Sequence, residues 1–165
     1  MRSENLNRKI KFAVVGCGHI GKRHIKLISE NNECELVAIC DVKPPEKLNI
    51  ENVNIPFYDN LTELLKIEDL DVVNICTPNG LHAQQCLEVL SAKKHVVCEK
   101  PMGLTKRECE AVIFKALNVS KQVFVVMQNR YSPPILWLKK MIDENKLGQI
   151  FIVEINCYWN RDDRY

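Results

Sequence analysis

Long apolar runs, cysteine pairs at metal-binding spacing and a strong excess of either charge are all missing from this sequence. No segment approaches the ~20 consecutive apolar residues needed to span a bilayer. The first nine residues are polar and show no apolar core of a secretory signal, so we expect a cytoplasmic chain that engages no membrane. Lys and Arg number 23 and Asp and Glu 21, a net charge of +2 that is too small to gather nucleic acid by bulk attraction. None of the eight cysteines falls in a Cys-x-x-Cys or a Cys/His cluster, which argues against a metal site or a disulfide framework. Cys40, Cys76 and Cys98 instead close apolar runs, where a reduced thiol serves as a small apolar filler. Internal repeats and low-complexity segments are absent too. What remains is a globular composition, 46% hydrophobic and 27% charged, in 165 residues: one domain and part of another.

Short apolar runs alternate with amphipathic stretches along the chain. Runs at 10–15, 36–40, 55–58, 72–76, 95–98 and 122–127 read as strands, and their continuous apolarity suits strands buried on both faces. Between them, 19–30, 61–67, 82–92 and 105–117 read as helices. In the first of these, Ile20, Leu27 and Ile28 are expected to face inward. Asn60 with Glu63, and Thr105 with Glu108, have the spacing of helix N-caps with Glu at the third position. This alternation predicts an α/β fold, a doubly wound parallel sheet with helices on both faces. Ser132-Pro133 opens a further helix, and Gly148 follows its end. Beyond it, Phe151, Val153, Ile155, Cys157 and Trp159 recur with period two, the signature of a strand with one apolar face. We therefore expect residues 1–128 to form one domain. Residues 129–165 are expected to form a connecting helix and the first strand of an α+β second domain that this chain carries only in part.

The first strand runs into Gly16-Cys17-Gly18-His19-Ile20-Gly21, and Asp41 closes the second. Strand, GxGxxG, helix, strand and acid in this order make the dinucleotide-binding βαβ fingerprint. Gly16 permits a tight turn, Gly18 lets backbone approach a pyrophosphate, and Gly21 lets the helix pack close. The unpaired N–H groups of His19 and Ile20 at the helix start face the phosphates. An acid at position 41 can accept both adenosine ribose hydroxyls and repels a 2′-phosphate, which favours NAD, although Lys43 leaves NADP possible. The alternative for Asp41 is a turn-forming acid before Lys43-Pro44-Pro45.

Two further segments leave the same sheet edge. Thr77, Pro78, Asn79 and His82 follow the fourth strand, in position to line the nicotinamide side. The alternative for His82 is a helix-start histidine without a ligand. Glu99-Lys100-Pro101 follows the fifth strand. There a partly desolvated lysine can hydrogen-bond a reacting hydroxyl and help move its proton. The alternative is a surface lysine paired with Glu99.

Taken together, the GxGxxG, the Asp after strand two, Thr-Pro-Asn-x-x-His after strand four and Glu-Lys-Pro after strand five resemble the Gfo/Idh/MocA oxidoreductases, over essentially the whole chain. The resemblance implies a Rossmann domain followed by a mostly antiparallel second domain, and NAD(P)-dependent oxidation or reduction of sugar-like hydroxyls by a homo-oligomer, dimer or tetramer. It makes Lys100 the catalytic lysine and Glu99 the nicotinamide-side acid. Gln128, Asn129 and Arg130 form a loop facing cofactor and substrate. It also implies an acid/base His from a second-domain segment that this sequence does not reach. Gln128-Asn129-Arg130-Tyr131 with Tyr158-Trp159-Asn160-Arg161 further resembles the branch oxidising the 3-hydroxyl of UDP-N-acetylglucosaminuronate for surface polysaccharide synthesis. On that resemblance Lys100, Asn129, Arg130, Tyr158 and Arg161 would meet a nucleotide sugar. The competing function is a non-catalytic NAD-binding or regulatory Rossmann module.

Overall fold

A computed structural model describes residues 8–50, 55–158 and 160. The chain divides into two compact units, Met1–Met127 and Gln128–Tyr165.

In the first unit the strands are β1 (Ile10–Val15), β2 (Cys34–Cys40), β3 (Phe57–Tyr58), β4 (Val72–Ile75), β5 (His95–Cys98) and β6 (Val123–Val125). They form one sheet in the order β3-β2-β1-β4-β5-β6, with every neighbouring pair parallel. The helices are α1 (His19–Glu30), α2 (Leu61–Leu64), α3 (His82–Ser91) and α4 (Lys106–Asn118). The order reverses at β1, and in such sheets ligands bind at that switch point, outside the carboxyl ends of the strands.

Alternate strand residues feed two separate cores. Ala13, Val15, Val73, Ile75, Val96 and Cys98 pack with Leu64, Val89, Leu90 and Val112 from α2, α3 and α4. Val14, Leu36, Ile39 and Cys76 pack with Ile25 and Ile28 of α1. A register shift between Phe12 and Ala13 places one extra β2 residue, Val37, between their partners Leu36 and Ala38. That bulge is why Leu36 and Ile39, three apart, share the α1 face. Each fully buried aliphatic side chain contributes about 1.5–3 kcal/mol, so Leu64, Ile75, Val89 and Leu90, all fully buried, anchor the helices to the first core.

The helix starts follow their caps. The Asn60 side chain accepts from the Glu63 N–H at 2.9 Å, and Thr105 and Glu108 form the reciprocal capping box. Glu63 itself turns to Lys66. Three expectations change. The second helix ends at Leu64, because Lys66 and Ile67 donate to carbonyls three residues back, tightening the chain out of the α geometry. Of the α1 residues expected inward, Ile28 is buried and Ile20 packs against the second core, but Leu27 is 56% exposed; Gly21 and Ile25 complete the buried stripe. β3 is shortened to its last two expected residues.

In the second unit, a short 3-10 turn (Gln128–Tyr131) precedes α5 (Pro133–Asp143). Pro133 sits at the first helical position, but Ser132 makes no side-chain cap; its hydroxyl donates to the Asn129 carbonyl. The strand expected from the alternation after Ile150 is not formed. Residues 150–158 have no regular structure and are exposed, and Trp159 lies outside the described residues. Alternating apolarity is only half of a strand; the other half is a ladder of bonds to a neighbour, and no described residue pairs with this segment. No helix among the described residues is long and apolar enough to cross a membrane.

Candidate active site at the carboxyl edge of the sheet

The turn out of β1 is set by two glycines. Gly16 has φ +87°, and a Cβ there would lie 2.7 Å from the Cys76 carbonyl carbon and oxygen. The loop therefore runs hard against the end of β4, bound by the Gly16 N–H to the Cys40 carbonyl at 2.8 Å. A Cβ on Gly21 would lie 1.9 Å from the Gly16 oxygen, so α1 touches the turn it springs from. Gly18 is the opposite case. It is the N-cap of α1, has no side-chain cap, and a Cβ there would meet nothing within 4 Å. Open space before uncapped first-turn N–H groups fits the pyrophosphate of a dinucleotide.

Asp41, half-buried just beyond β2, is tied down at both oxygens. One accepts from the Cys17 N–H at 2.7 Å and the other from the Lys43 N–H at 2.8 Å. The acid thus makes the turn before the prolines and also clasps the phosphate-side loop, and its remaining lone pairs are available to ribose hydroxyls.

The β4 and β5 loops are built differently. Thr77 is half-buried and its hydroxyl donates to Gln85 at 2.5 Å. Pro78 and Asn79 are exposed. His82 is 1% exposed, with Nδ1 2.7 Å from the Pro101 carbonyl oxygen and Nε2 2.7 Å from that of Thr77. Both ring nitrogens therefore face backbone carbonyls, and a protonated ring nitrogen donates to the one it faces, so the buried imidazole sits between the β4 loop and the β5 loop. The Lys100-Pro101 peptide at this junction is cis. Glu99 is 7% exposed and turns inward, Oε1 lying 3.1 Å from His24 Nε2, while Oε2 accepts from the Lys100 N–H at 3.3 Å. Lys100 projects outward and is exposed. The acid is therefore paired with a histidine and not with its neighbouring lysine.

The sequence reading passed over His24 and its second partner, Asn74, whose amide lies 2.8 Å from His24 Nδ1. The signals were present: His24 interrupts the inward α1 stripe, and Asn74 stands alone among the apolar residues of β4. The thiols of this region are fillers and not nucleophiles. Burial, then the Glu99 charge, pushes Cys76 up to about 12. Burial, then Asp41, does the same for Cys17, and burial takes Cys40 to about 11.

Gly16, Gly18, His19, Ile20, Gly21, Asp41, Thr77, Pro78, Asn79, His82, Glu99 and Lys100 thus gather along one sheet edge of the first unit. Gln128, Asn129 and Arg130 are exposed in the 3-10 turn of the second unit, as is Tyr158 further on. Arg161 lies outside the described residues.

Residues 10–127 match the family described as an oxidoreductase family with an NAD-binding Rossmann fold. The chain belongs to the Gfo/Idh/MocA family. Among curated relatives it is 30% identical over 154 residues to inositol 2-dehydrogenase of Salmonella typhimurium, covering 90% of this chain and 46% of that protein. It is 27% identical over 155 residues to D-glucoside 3-dehydrogenase of Escherichia coli, covering 92% and 44%. Among solved structures, the WlbA dehydrogenase of Chromobacterium violaceum, in complex with NADH and UDP-GlcNAcA, superposes with a TM-score of 0.92 at 34% identity, covering 97% of this chain and 47% of that one. The Bordetella pertussis WlbA dehydrogenase gives 0.82 at 34%, covering 88% and 42%. The Gfo/Idh/MocA chain described here spans about half the length of the relatives it matches.

Proposed function

We propose that this chain binds NAD across the carboxyl edge of its sheet, as part of a dehydrogenase acting on a sugar or nucleotide-sugar hydroxyl. The observation carrying this reading is the convergence of the open Gly18 helix start, the clasped Asp41 and the outward Lys100 on one edge. In it, the α1 N-terminus holds the pyrophosphate and Asp41 accepts the adenosine ribose hydroxyls. Thr77, Pro78, Asn79 and Glu99 border the nicotinamide side, with His82 fixing the two loops. NAD, when bound, accepts a hydride from the sugar carbon. Lys100, free of Glu99, would hydrogen-bond the hydroxyl on that carbon and orient it so that its proton passes to water.

The finer substrate reading is the 3-hydroxyl of UDP-N-acetylglucosaminuronate, supported by the likeness to the WlbA dehydrogenases. There Arg130 and Arg161 would meet carboxylate or diphosphate by forked hydrogen bonds, with Asn129 and Tyr158 on the sugar. Residues 129–165 belong in this reading to the connection with a second domain, and the complete protein works in the cytoplasm as a homo-oligomer.

Calorimetric titration of the chain with NAD and NADP tests the cofactor half. NAD is expected to bind about tenfold or more tighter, from repulsion of the 2′-phosphate by Asp41; equal or reversed affinities overturn that assignment. Turnover of nucleotide sugars by the complete protein tests the rest, with Lys100→Ala expected to lose about 10²-fold or more. Unchanged turnover removes Lys100 from the chemistry.

A further inference from the structure

The feature left unexplained by this reading is the polar chain beneath the β4 and β5 loops. Asn74 is 4% exposed in the middle of an otherwise apolar strand. Its Nδ2 lies 2.8 Å from His24 Nδ1, and among the described residues its buried Oδ1 has no hydrogen-bond partner. A buried amide with one unsatisfied atom is costly and calls for an explanation. With the amide so placed, Nδ2 donates and His24 Nδ1 accepts, which puts the ring proton on Nε2, facing Glu99 Oε1 at 3.1 Å. Asn74 therefore selects the tautomer that holds the carboxylate, and the other Glu99 oxygen takes the Lys100 backbone N–H.

The carboxylate has an unusual environment. Among the described residues no lysine or arginine forms an ion pair with it, and the group that meets it is the His24 ring, which in this tautomer is a neutral hydrogen-bond donor. The titratable group beside it just past β4 is the thiol of Cys76, pushed up to about 12 by burial and then by the Glu99 charge, and so uncharged. Cys98, beside it on β5, is shifted the same way by its hydrogen bond with Cys86 and by burial. A buried carboxylate is ordinarily matched by a cation. With Asp41 at the adenosine ribose on the β2 side of β1, a dinucleotide crossing the switch point brings its other end to the β4 and β5 side, where Glu99 stands. The oxidised nicotinamide ring is a cation and the reduced ring is neutral.

We propose that Asn74 and His24 form a relay that fixes the Glu99 carboxylate as counter-charge to an oxidised nicotinamide ring, so that His24 is a positioning residue for the redox end of the cofactor. This rests on the cofactor reading above. The relay raises affinity for NAD+ relative to NADH and leaves the adenosine half untouched.

The test titrates NAD+, NADH and ADP-ribose separately into the chain and its His24→Leu, His24→Gln and Asn74→Leu variants. ADP-ribose uses the 16–21 loop and Asp41 but has no nicotinamide. His24→Leu and Asn74→Leu are expected to lower the NAD+ over NADH affinity ratio about three- to tenfold, the scale of one net hydrogen bond, with ADP-ribose binding unchanged. Glutamine at 24, which can still donate to Glu99 and accept from Asn74, is expected to restore most of the ratio. A ratio unmoved in the leucine variants, or equal losses for all three ligands, overturns the relay. If the parent chain binds NAD+ and ADP-ribose equally weakly or not at all, the cofactor reading falls and the relay falls with it.

Discussion

The two halves of the proposed cofactor site are built from opposite materials. On the β1–α1–β2 side the working parts are backbone: glycines that admit close contacts, uncapped N–H groups and one carboxylate clasping two amides. On the β4 and β5 side they are buried side chains, His82, His24, Asn74 and Glu99, held in hydrogen bonds across three elements. Backbone sites depend on the absence of atoms, so they tolerate no added volume. Side-chain sites depend on partners, so they fail when one partner is removed.

Gly21→Val is the sharpest probe of the first half. Its Cβ would overlap the Gly16 oxygen at 1.9 Å. We expect a loss above ~3 kcal/mol, the upper end of overpacking costs, seen as a collapsed denaturation midpoint; wild-type stability would show that the helix does not depend on that contact. His82→Leu probes the second half by removing the ring that lies between two backbone carbonyls. Urea unfolding is expected to show a cost of about 2–4 kcal/mol, from one to two orphaned buried acceptors. A cost below that of an ordinary surface substitution would mean the two loops hold themselves.

Asp41→Asn separates charge from clasp. The amide offers one acceptor oxygen where the acid offers two, so either the Cys17 or the Lys43 N–H loses its bond. We expect a stability loss of about 1–2 kcal/mol together with about tenfold weaker NAD binding, read by thermal melt and titration; weakened binding with no change in melting would assign Asp41 to the ribose alone. The smallest effect lies away from both halves, at His95. Burial, then Lys121, holds its pKa below 6.5, while its Nδ1 accepts the Gln122 N–H. Below pH 6.5 the unfolded chain takes up a proton that the folded chain resists, so stability is full above that pH and declines as pH falls through it. His95→Gln is expected to flatten that acid limb in melts between pH 7.5 and 5.5; an unaltered limb would exclude His95 as its source.

The contrast in materials also explains what could be read beforehand. The glycine turn, its acid and the alternation of strands and helices are local patterns, and the six strands stand where the apolar runs placed them. Thr105 and Asn60 cap their helices because a cap is complete within four residues. The His24–Asn74–Glu99 chain is spread over 75 positions, and nothing local joins a histidine in α1 to an amide in β4. Ile28 is buried as expected, but Leu27 was misplaced: α1 packs through Gly21, held against Gly16, and the stripe runs through Ile25 to Ile28. The segment after Ile150 has the alternation of a strand without a ladder to complete it.

The bond from the Cys17 amide to Asp41 has a practical consequence for anyone redesigning this pocket. In the proposed site, converting it to accept a phosphorylated adenosine would begin by deleting the acid, since a carboxylate there would repel the added phosphate. That deletion also unfastens the 16–21 loop, which in the proposed site would cradle the other phosphates, two problems created by one edit. A successful redesign must install a neutral acceptor, such as a serine or threonine hydroxyl, within reach of the same amide before it adds any basic residue.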